Sequence, residues 1–392
     1  MKRIFAIIIS VMALLGAVSC KEDAPLSDDT KRTILIYAVA SNNLSSFLRD
    51  DMAEMISAAP AVAGLGSTVR VMVYSVASQS ATEATLKELQ KNSEGEWEFK
   101  TIKNYDRDTY STDPDRMREV FQDLTSISES DKYGLILWSH GTGWLPNFSD
   151  HGKDTGASVP QRSFGLDKNG STSDYCDIHE LAQAIPDGMF DYIWFDLCYM
   201  MGIEVCYQLR DKCDYICGYP TEDWSTGMNY DSTLPMLAAP VPDLTGAAES
   251  FFSHYNMSGL AVTVTVARTA PLEELAEAAA AVYAAGSRPG SSTGLQNYSR
   301  LSKKGQELFD FGQFTERYLQ DDPDNPLITR FRAALDKVVE YGACSVASFD
   351  GQYGTPFNPE IYSGFSCHFP GTAAVASEAY YSELDWVTAT RP

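Results

Sequence analysis

Basic residues are scarce in this 392-residue chain: Lys and Arg total 30 against 53 Asp and Glu, a formal net charge of −23. So acidic a surface repels phosphate backbones and anionic headgroups, which excludes nucleic acid as a partner and favours cationic peptides. Histidine is rarer still, with five in the chain and no two at His-x-x-x-His spacing. No Cys-x-x-Cys pair occurs either. Cys213 and Cys217 have no second ligand pair at finger or ribbon spacing, so zinc and thioredoxin-like redox chemistry lack a motif. Internal repeats and heptads are absent. What the chain does have is 44% hydrophobic and 11% aromatic residues, enough for a large folded domain or two medium ones.

Long apolar runs are missing except for Ile4 to Val18, which follows Lys2 and Arg3. It is shorter than the ~20 residues of a membrane span and has the basic-then-apolar layout of an export signal. It ends in Ala17-Val18-Ser19-Cys20, which resembles a bacterial lipobox, with Ala17 where Leu is usual. That resemblance implies a signal peptide over 1–19, lipidation of Cys20 and a polar tether over 20–31. Lys21-Glu22-Asp23 also looks like the acidic signal that sends some Bacteroidetes lipoproteins to the cell surface. The expectation is an exported lipoprotein at the outer membrane or cell surface, with the periplasmic side as the alternative. Seven cysteines follow Cys20, an odd number that leaves at least one thiol unpaired.

From residue 32 onward, apolar runs alternate with helical patterns. Thr33–Ala40, Val69–Val76, Tyr133–Trp138, Asp191–Phe195 and Tyr215–Gly218 read as strands buried on both faces. Ser41, Asn42 and Asn43 read as the cap of a helix that closes near Pro60. Residues 145–172, rich in Gly, Ser, Asp and Pro, read as a long surface loop. This spacing predicts an α/β fold with a mostly parallel sheet and helices on both faces. The rhythm changes near 245, so the expected division is a catalytic domain over 32–245 and a C-terminal α+β subdomain over 246–392.

In open α/β sheets, ligands collect beyond the carboxyl ends of the strands. Two strands end in reactive residues: one in Trp138-Ser139-His140-Gly141, the other in Phe195-Asp196-Leu197-Cys198. A cysteine is the side chain readiest to act as a nucleophile, and an imidazole within reach can protonate a leaving amine. Gly141, without a Cβ, can lie against a substrate, its N–H joining that of Cys198 to face an oxyanion. On spacing alone this pair competes with the ordinary alternatives, a core thiol and a structural imidazole donor.

The segments Arg32–Tyr37 with Asn42-Asn43-Leu44, Leu135–Trp144, and Phe195–Gly202 with Glu204, Val205, Tyr207 and Leu209 resemble the clostripain family of cysteine peptidases. Tyr219–Glu222 and Tyr362–Phe365 add to the likeness, which runs in order along almost the whole chain after the tether. The resemblance implies a caspase-like fold. His140 would be the catalytic histidine and Cys198 the nucleophile. Asp196 would be the acid that recognises Arg or Lys beside the scissile bond, with Asp223 a reserve candidate. Leu197 stands where a smaller residue is more usual and is expected to narrow that pocket. The chemistry needs no cofactor; calcium is admitted by the resemblance, though no EF-hand spacing is visible. Substrates would be basic peptides or proteins. Self-cleavage is expected in 145–172, at Arg162 first, or at Lys153 or Lys168. The competing class is a non-catalytic surface lipoprotein that binds peptide or glycan on the same fold.

Overall fold

The structure is a computed structural model that describes residues 31–66, 68–145, 163–299, 308–347, 356–372 and 375–391. Its strands are β1 (Arg32–Val39), β2 (Val69–Val76), β3 (Ala84–Lys91), β4 (Trp97–Tyr105), β5 (Lys132–Trp138), β6 (Phe164–Asn169), β7 (Thr172–Cys176), β8 (Phe190–Asp196), β9 (Cys213–Gly218), β10 (Thr263–Arg268), β11 (Leu308–Asp310), β12 (Val339–Cys344) and β13 (Ser366–His368). The helices are α1 (Ser45–Gly64), α2 (Pro114–Ile127), α3 (Ile178–Ala184), α4 (Ile203–Gln208), α5 (Tyr230–Ala238), α6 (Leu244–Asn256), α7 (Leu272–Ala285), α8 (Phe311–Glu316), α9 (Pro326–Val338), α10 (Val375–Tyr381) and α11 (Asp385–Thr390).

Nine strands form one sheet in the order β12-β10-β9-β8-β5-β1-β2-β3-β4. The five central strands, β2 to β9 across the sheet, are parallel. Two antiparallel strands close each edge. Every residue of β1 is buried. Ile34, Ile36 and Ala38 belong to the core on the side of α1, α5 and α6, while Leu35, Tyr37 and Val39 belong to the core on the opposite face, to which α2, α3, α4, α7 and α9 contribute. A strand covered on both faces is apolar along most of its length, which is why β1, β5 and β8 stand out in the sequence. The expected architecture, a mostly parallel sheet between two helical layers, is present.

Four details differ from the sequence reading. The edge strands β3 and β4 went unread because Lys87, Glu88, Lys91, Glu98 and Lys100 give them the charged, half-exposed texture of protected sheet edges. Pro60 sits inside α1, which runs on to Gly64. Residues 163–176 are no open loop: β6 and β7 form a hairpin. The sheet also continues past residue 245, which lies within α6, because β10 pairs with β9 and β12 with β10. The hairpin bears on the self-cleavage sites. Lys168 is half-buried in β6 with its backbone N–H donated to Ser41 Oγ at 2.9 Å, so it does not offer an exposed extended segment. Lys153, Arg162 and Cys20 lie outside the described residues.

Candidate active site

β5 and β8 are neighbours in the sheet, with Trp138 opposite Asp196. His140 and Cys198 each lie two residues beyond that pair, so the register carries both turns to one end of the sheet. The turns touch at Gly141. A Cβ there would stand 2.5 Å from the Cys198 carbonyl oxygen and 2.6 Å from Leu197 Cδ1, so only glycine fits between them. The histidine turn is pinned on its other sides. Ser139 Oγ donates to the Val39 carbonyl at 2.7 Å. The Gly165 N–H donates to the His140 carbonyl at 2.9 Å, and Gly141 bridges Phe164. The hairpin strand missed in the sequence therefore holds the backbone that carries the imidazole.

On the other turn, Tyr199 has φ 65°, a left-handed conformation that a bulky residue keeps only when its surroundings impose it. Its N–H donates to the Thr221 carbonyl at 2.8 Å, and that of Met201 to the Tyr219 carbonyl at 3.1 Å. β8 therefore stops abruptly and leaves Cys198 half-exposed at its tip. None of the seven described cysteines is in a disulfide, and the six other than Cys198 are buried. Burial pushes the thiols of Cys176, Cys206, Cys213, Cys217 and Cys367 up, and that of Cys344 to about 12, which keeps them protonated and unreactive. Cys198 Sγ accepts the backbone N–H of Asp223 at 3.3 Å and faces the Asp223 carbonyl oxygen at 3.8 Å.

Behind Cys198 lies a group of acids. Asp196, 3% exposed, accepts the Tyr230 hydroxyl at 2.7 Å and the Met228 N–H at 3.3 Å on Oδ2, and the Tyr219 hydroxyl at 3.4 Å on Oδ1. The Asp223 side chain hydrogen-bonds to Asp196 directly. Two carboxyls in contact cannot both ionise cheaply. Burial and then the Asp196 charge raise Asp223 well above the usual carboxyl range, which makes it the proton-bearing partner. Burial also raises Asp196, opposed by the hydrogen bonds of Tyr230 and Met228. A third acid, Asp51 of α1, accepts the Trp138 indole N–H at 2.8 Å and is pushed up to about 9, first by burial and next by Asp196. Among the described residues no Lys or Arg pairs with Asp196 or Asp223. Gly227, at φ +59°, passes so close that a Cβ would lie 3.0 Å from Asp196 Oδ2.

Leu197 does not narrow this acid-lined space. It packs beneath Gly141 in the opposite hydrophobic layer, while Tyr219, Met228 and Tyr230 around Asp196 belong to the α1–α5–α6 side. Sequence reasoning also missed Asp51, Tyr219 and Tyr230. It took Asn43 for a helix cap. The N-cap position belongs to Leu44, and Asn43 Oδ1 lies 2.9 Å from His140 Nε2.

The sequence pattern of the clostripain family matches residues 36–302, which include both strand ends and the acids. This chain belongs to the clostripain family. Clostripain itself, from Hathewaya histolytica, is 26% identical over 227 residues, 53% of this chain and 42% of that one; the chain thus spans under half the length of this curated relative. The crystal structure of a secreted C11 cysteine protease from Bacteroides thetaiotaomicron, in complex with an irreversible peptide inhibitor, superposes with a TM-score of 0.77 at 25% identity. It covers 92% of this chain and 98% of its own. An inactive zymogen C11 protease from Parabacteroides distasonis shares the fold, with a TM-score of 0.76, 24% identity and coverage of 93% and 99%. Among the described residues no group of three or more His, Cys, Asp or Glu is arranged to hold a metal ion. None of their helices is long and apolar enough to cross a membrane.

Proposed function

We propose that this member of the clostripain family is a cysteine endopeptidase that cleaves after Arg or Lys, with Cys198 as nucleophile and His140 as its acid–base partner. The Cys198 thiolate attacks the scissile carbonyl carbon. The resulting oxyanion is held by the N–H groups of Gly141 and Cys198, and His140 protonates the departing amine. Water, deprotonated by His140, then hydrolyses the thioester and frees Cys198. The observation that carries the specificity is the buried Asp196 beside the half-buried Asp223, with no cationic partner among the described residues. A guanidinium or ammonium entering beside Asp196 would supply the missing charge, whereas a neutral side chain would leave that carboxylate desolvated and unpaired.

We also propose that the protein is exported and held at the outer membrane or cell surface by a lipid on Cys20. The export-signal layout of residues 2–20 supports this, as does the description of the B. thetaiotaomicron relative as secreted. Self-cleavage between 146 and 162, at Arg162 or Lys153, belongs to the same reading. Ser163 Oγ donates to the Leu145 carbonyl at 3.3 Å, so the two ends of that stretch are already tied together, and a cut between them would leave both anchored.

Cys198→Ala and His140→Ala should each lower peptide hydrolysis by about 10⁴-fold or more without changing the thermal midpoint. Iodoacetamide should label Cys198 ahead of the six buried thiols. Mass spectrometry of the purified protein should find two fragments meeting after Lys153 or Arg162, and an intact chain for Cys198→Ala. Wild-type turnover by Cys198→Ala would overturn the assignment.

A further inference from the structure

Arginines in this chain commonly meet a carboxylate: Arg210 reaches Glu273 and Asp385, Arg332 reaches Glu316, and Arg107 reaches Asp167. Arg288 and Arg391 depart from that habit, and both line one cavity. It measures about 380 Å³, the size of a small-molecule site, and lies where α7, α8, α10 and α11 meet β13. Its wall is aromatic, built from Tyr283, Phe314, Tyr318, Tyr381 and Trp386. Tyr283 and Tyr318 have ring centroids 4.4 Å apart, and Phe314 meets Tyr318 edge-on at 5.6 Å. Three of the rings are also held by residues outside the cavity. The Tyr283 hydroxyl lies 3.0 Å from Thr315 Oγ1, Tyr381 packs on Trp144 at 4.9 Å, and Trp386 packs on Phe311 at 5.3 Å. The space is therefore formed before anything enters it.

The charge of the lining runs against that of the chain. Acids outnumber bases 53 to 30 overall, yet none of the described residues that line the cavity is acidic. Arg391 Nη2 donates to the Ser382 carbonyl at 2.7 Å, just past the end of α10, and meets no carboxylate among the described residues. Arg288 is exposed and has neither a hydrogen bond nor an ion pair among them. Glu204 acts on Tyr283 and Tyr381 from behind the wall; it is fully buried, and burial pushes its carboxyl up to about 7. At pH 6 it is mostly protonated and leaves the two guanidinium groups as the charge of the site.

We infer that this cavity is a second binding site, for a small amphipathic carboxylate with a flat aromatic body. The body seats against the tyrosines, and the carboxylate is met at the rim by Arg288 and Arg391. Burial of the rings contributes the hydrophobic part of the affinity, and the guanidinium forks contribute charge-assisted hydrogen bonds. Aromatic faces alone would also suit a cation, but two arginines beside them repel one. No residue of the Cys198 site lines the cavity, so binding does not depend on the peptidase chemistry.

Isothermal titration calorimetry at pH 6 tests the site with three probes of one shape: naphthalene-2-carboxylate, its carboxamide and 2-naphthylmethylammonium. The carboxylate should bind the parent one-to-one with Kd of about 10–100 μM, the carboxamide about 10-fold more weakly, and the ammonium not at all. Cys198→Ala should bind the carboxylate as the parent does. The double variant Arg288→Gln, Arg391→Gln should lose about 10-fold for the carboxylate, keep the parent's affinity for the carboxamide, and hold its thermal midpoint, since both side chains are exposed. Val387→Trp, which fills the cavity from α11, should abolish binding of both; should it fail to fold, the double variant decides. The inference is overturned if the carboxylate does not bind at millimolar concentration, or if the ammonium binds more tightly. It is equally overturned if the double variant binds the carboxylate like the parent, or if Cys198→Ala loses it.

Discussion

Two buried aspartates in this molecule meet opposite fates. Asp167, in the hairpin that clamps the histidine turn, is fully buried and fully answered. It accepts from Arg107 Nη2 at 2.7 Å, Arg107 Nη1 at 3.1 Å, Ser41 Oγ at 2.6 Å and the Ser111 N–H at 2.6 Å. Asp196, just behind Cys198, receives two tyrosine hydroxyls and one N–H, and its fourth neighbour is another acid. Both carboxyls are out of water, but among the described residues only the first has its counter-charge built into the fold. On the proposed reading, the comparison separates a structural acid, closed by its own chain, from a recognition acid that a substrate cation would complete.

The sharpest way to break that contrast is Asp196→Asn. The amide can still accept from Tyr230 and Met228 but offers no charge to a guanidinium. We expect kcat/KM on peptides with Arg or Lys at the cleavage site to fall by about 10³- to 10⁴-fold. The preference for Arg over uncharged citrulline should collapse, and the thermal midpoint should hold or rise, since a desolvated carboxylate has been removed. Retained Arg preference would mean that the recognised charge lies elsewhere. The counterpart is Asp167→Asn, which strands the Arg107 guanidinium in the interior. Chemical denaturation should show a loss of about 3–5 kcal/mol, and the Arg-to-citrulline ratio of the folded protein should stay that of the parent. If Asp167→Asn instead abolished discrimination at constant stability, the two acids would have exchanged roles.

What could be read in advance follows the same physics. β1, β5 and β8 announce themselves because strands covered on both faces are apolar along most of their length, and His140 and Cys198 stand out by following such runs directly. Elements secured by polar contacts were silent. β6 reads Phe164-Gly165-Leu166-Asp167-Lys168-Asn169, a turn-like string, and its burial depends on the hydrogen bonds of Asp167 and Lys168 to distant partners. Asn43 has the composition of a helix cap, and nothing local distinguishes an amide that caps from one that reaches across to another strand. Asp51 lies in the string Arg49-Asp50-Asp51, which looks like a solvated helix face until the indole of Trp138 is placed beside it. Asp196 stands out in the sequence only through its family likeness. Its pairing with Asp223 needed the fold to bring the turn after β9 against the tip of β8.

Asp51 offers the finest test of the comparison, with the smallest expected effect. It is nearly fully buried, and its carboxyl is raised from the ordinary range near 4 to about 9 by burial, by Asp196, and to a lesser degree by Glu54 and Asp50, against the pull of the Trp138 bond. Between those two values the folded protein holds a proton that the unfolded chain has released. The contribution of Asp51 to stability is therefore greatest below pH 4, shrinks as the pH rises toward 9, and is flat beyond. Asp51→Asn keeps an oxygen for the indole N–H and has no proton to lose. It should match the parent near pH 4–5 and be the more stable of the two at pH 8–9, a difference that thermal midpoints measured across that range will show. Because Asp51 is uncharged where the peptidase would work, its amide should leave the Arg-to-citrulline ratio within about threefold of the parent. A collapse of that ratio would mean that the cation is met by a charge spread over Asp51, Asp196 and Asp223. The single unanswered carboxylate that sets Asp196 apart from Asp167 would then be the wrong unit of comparison.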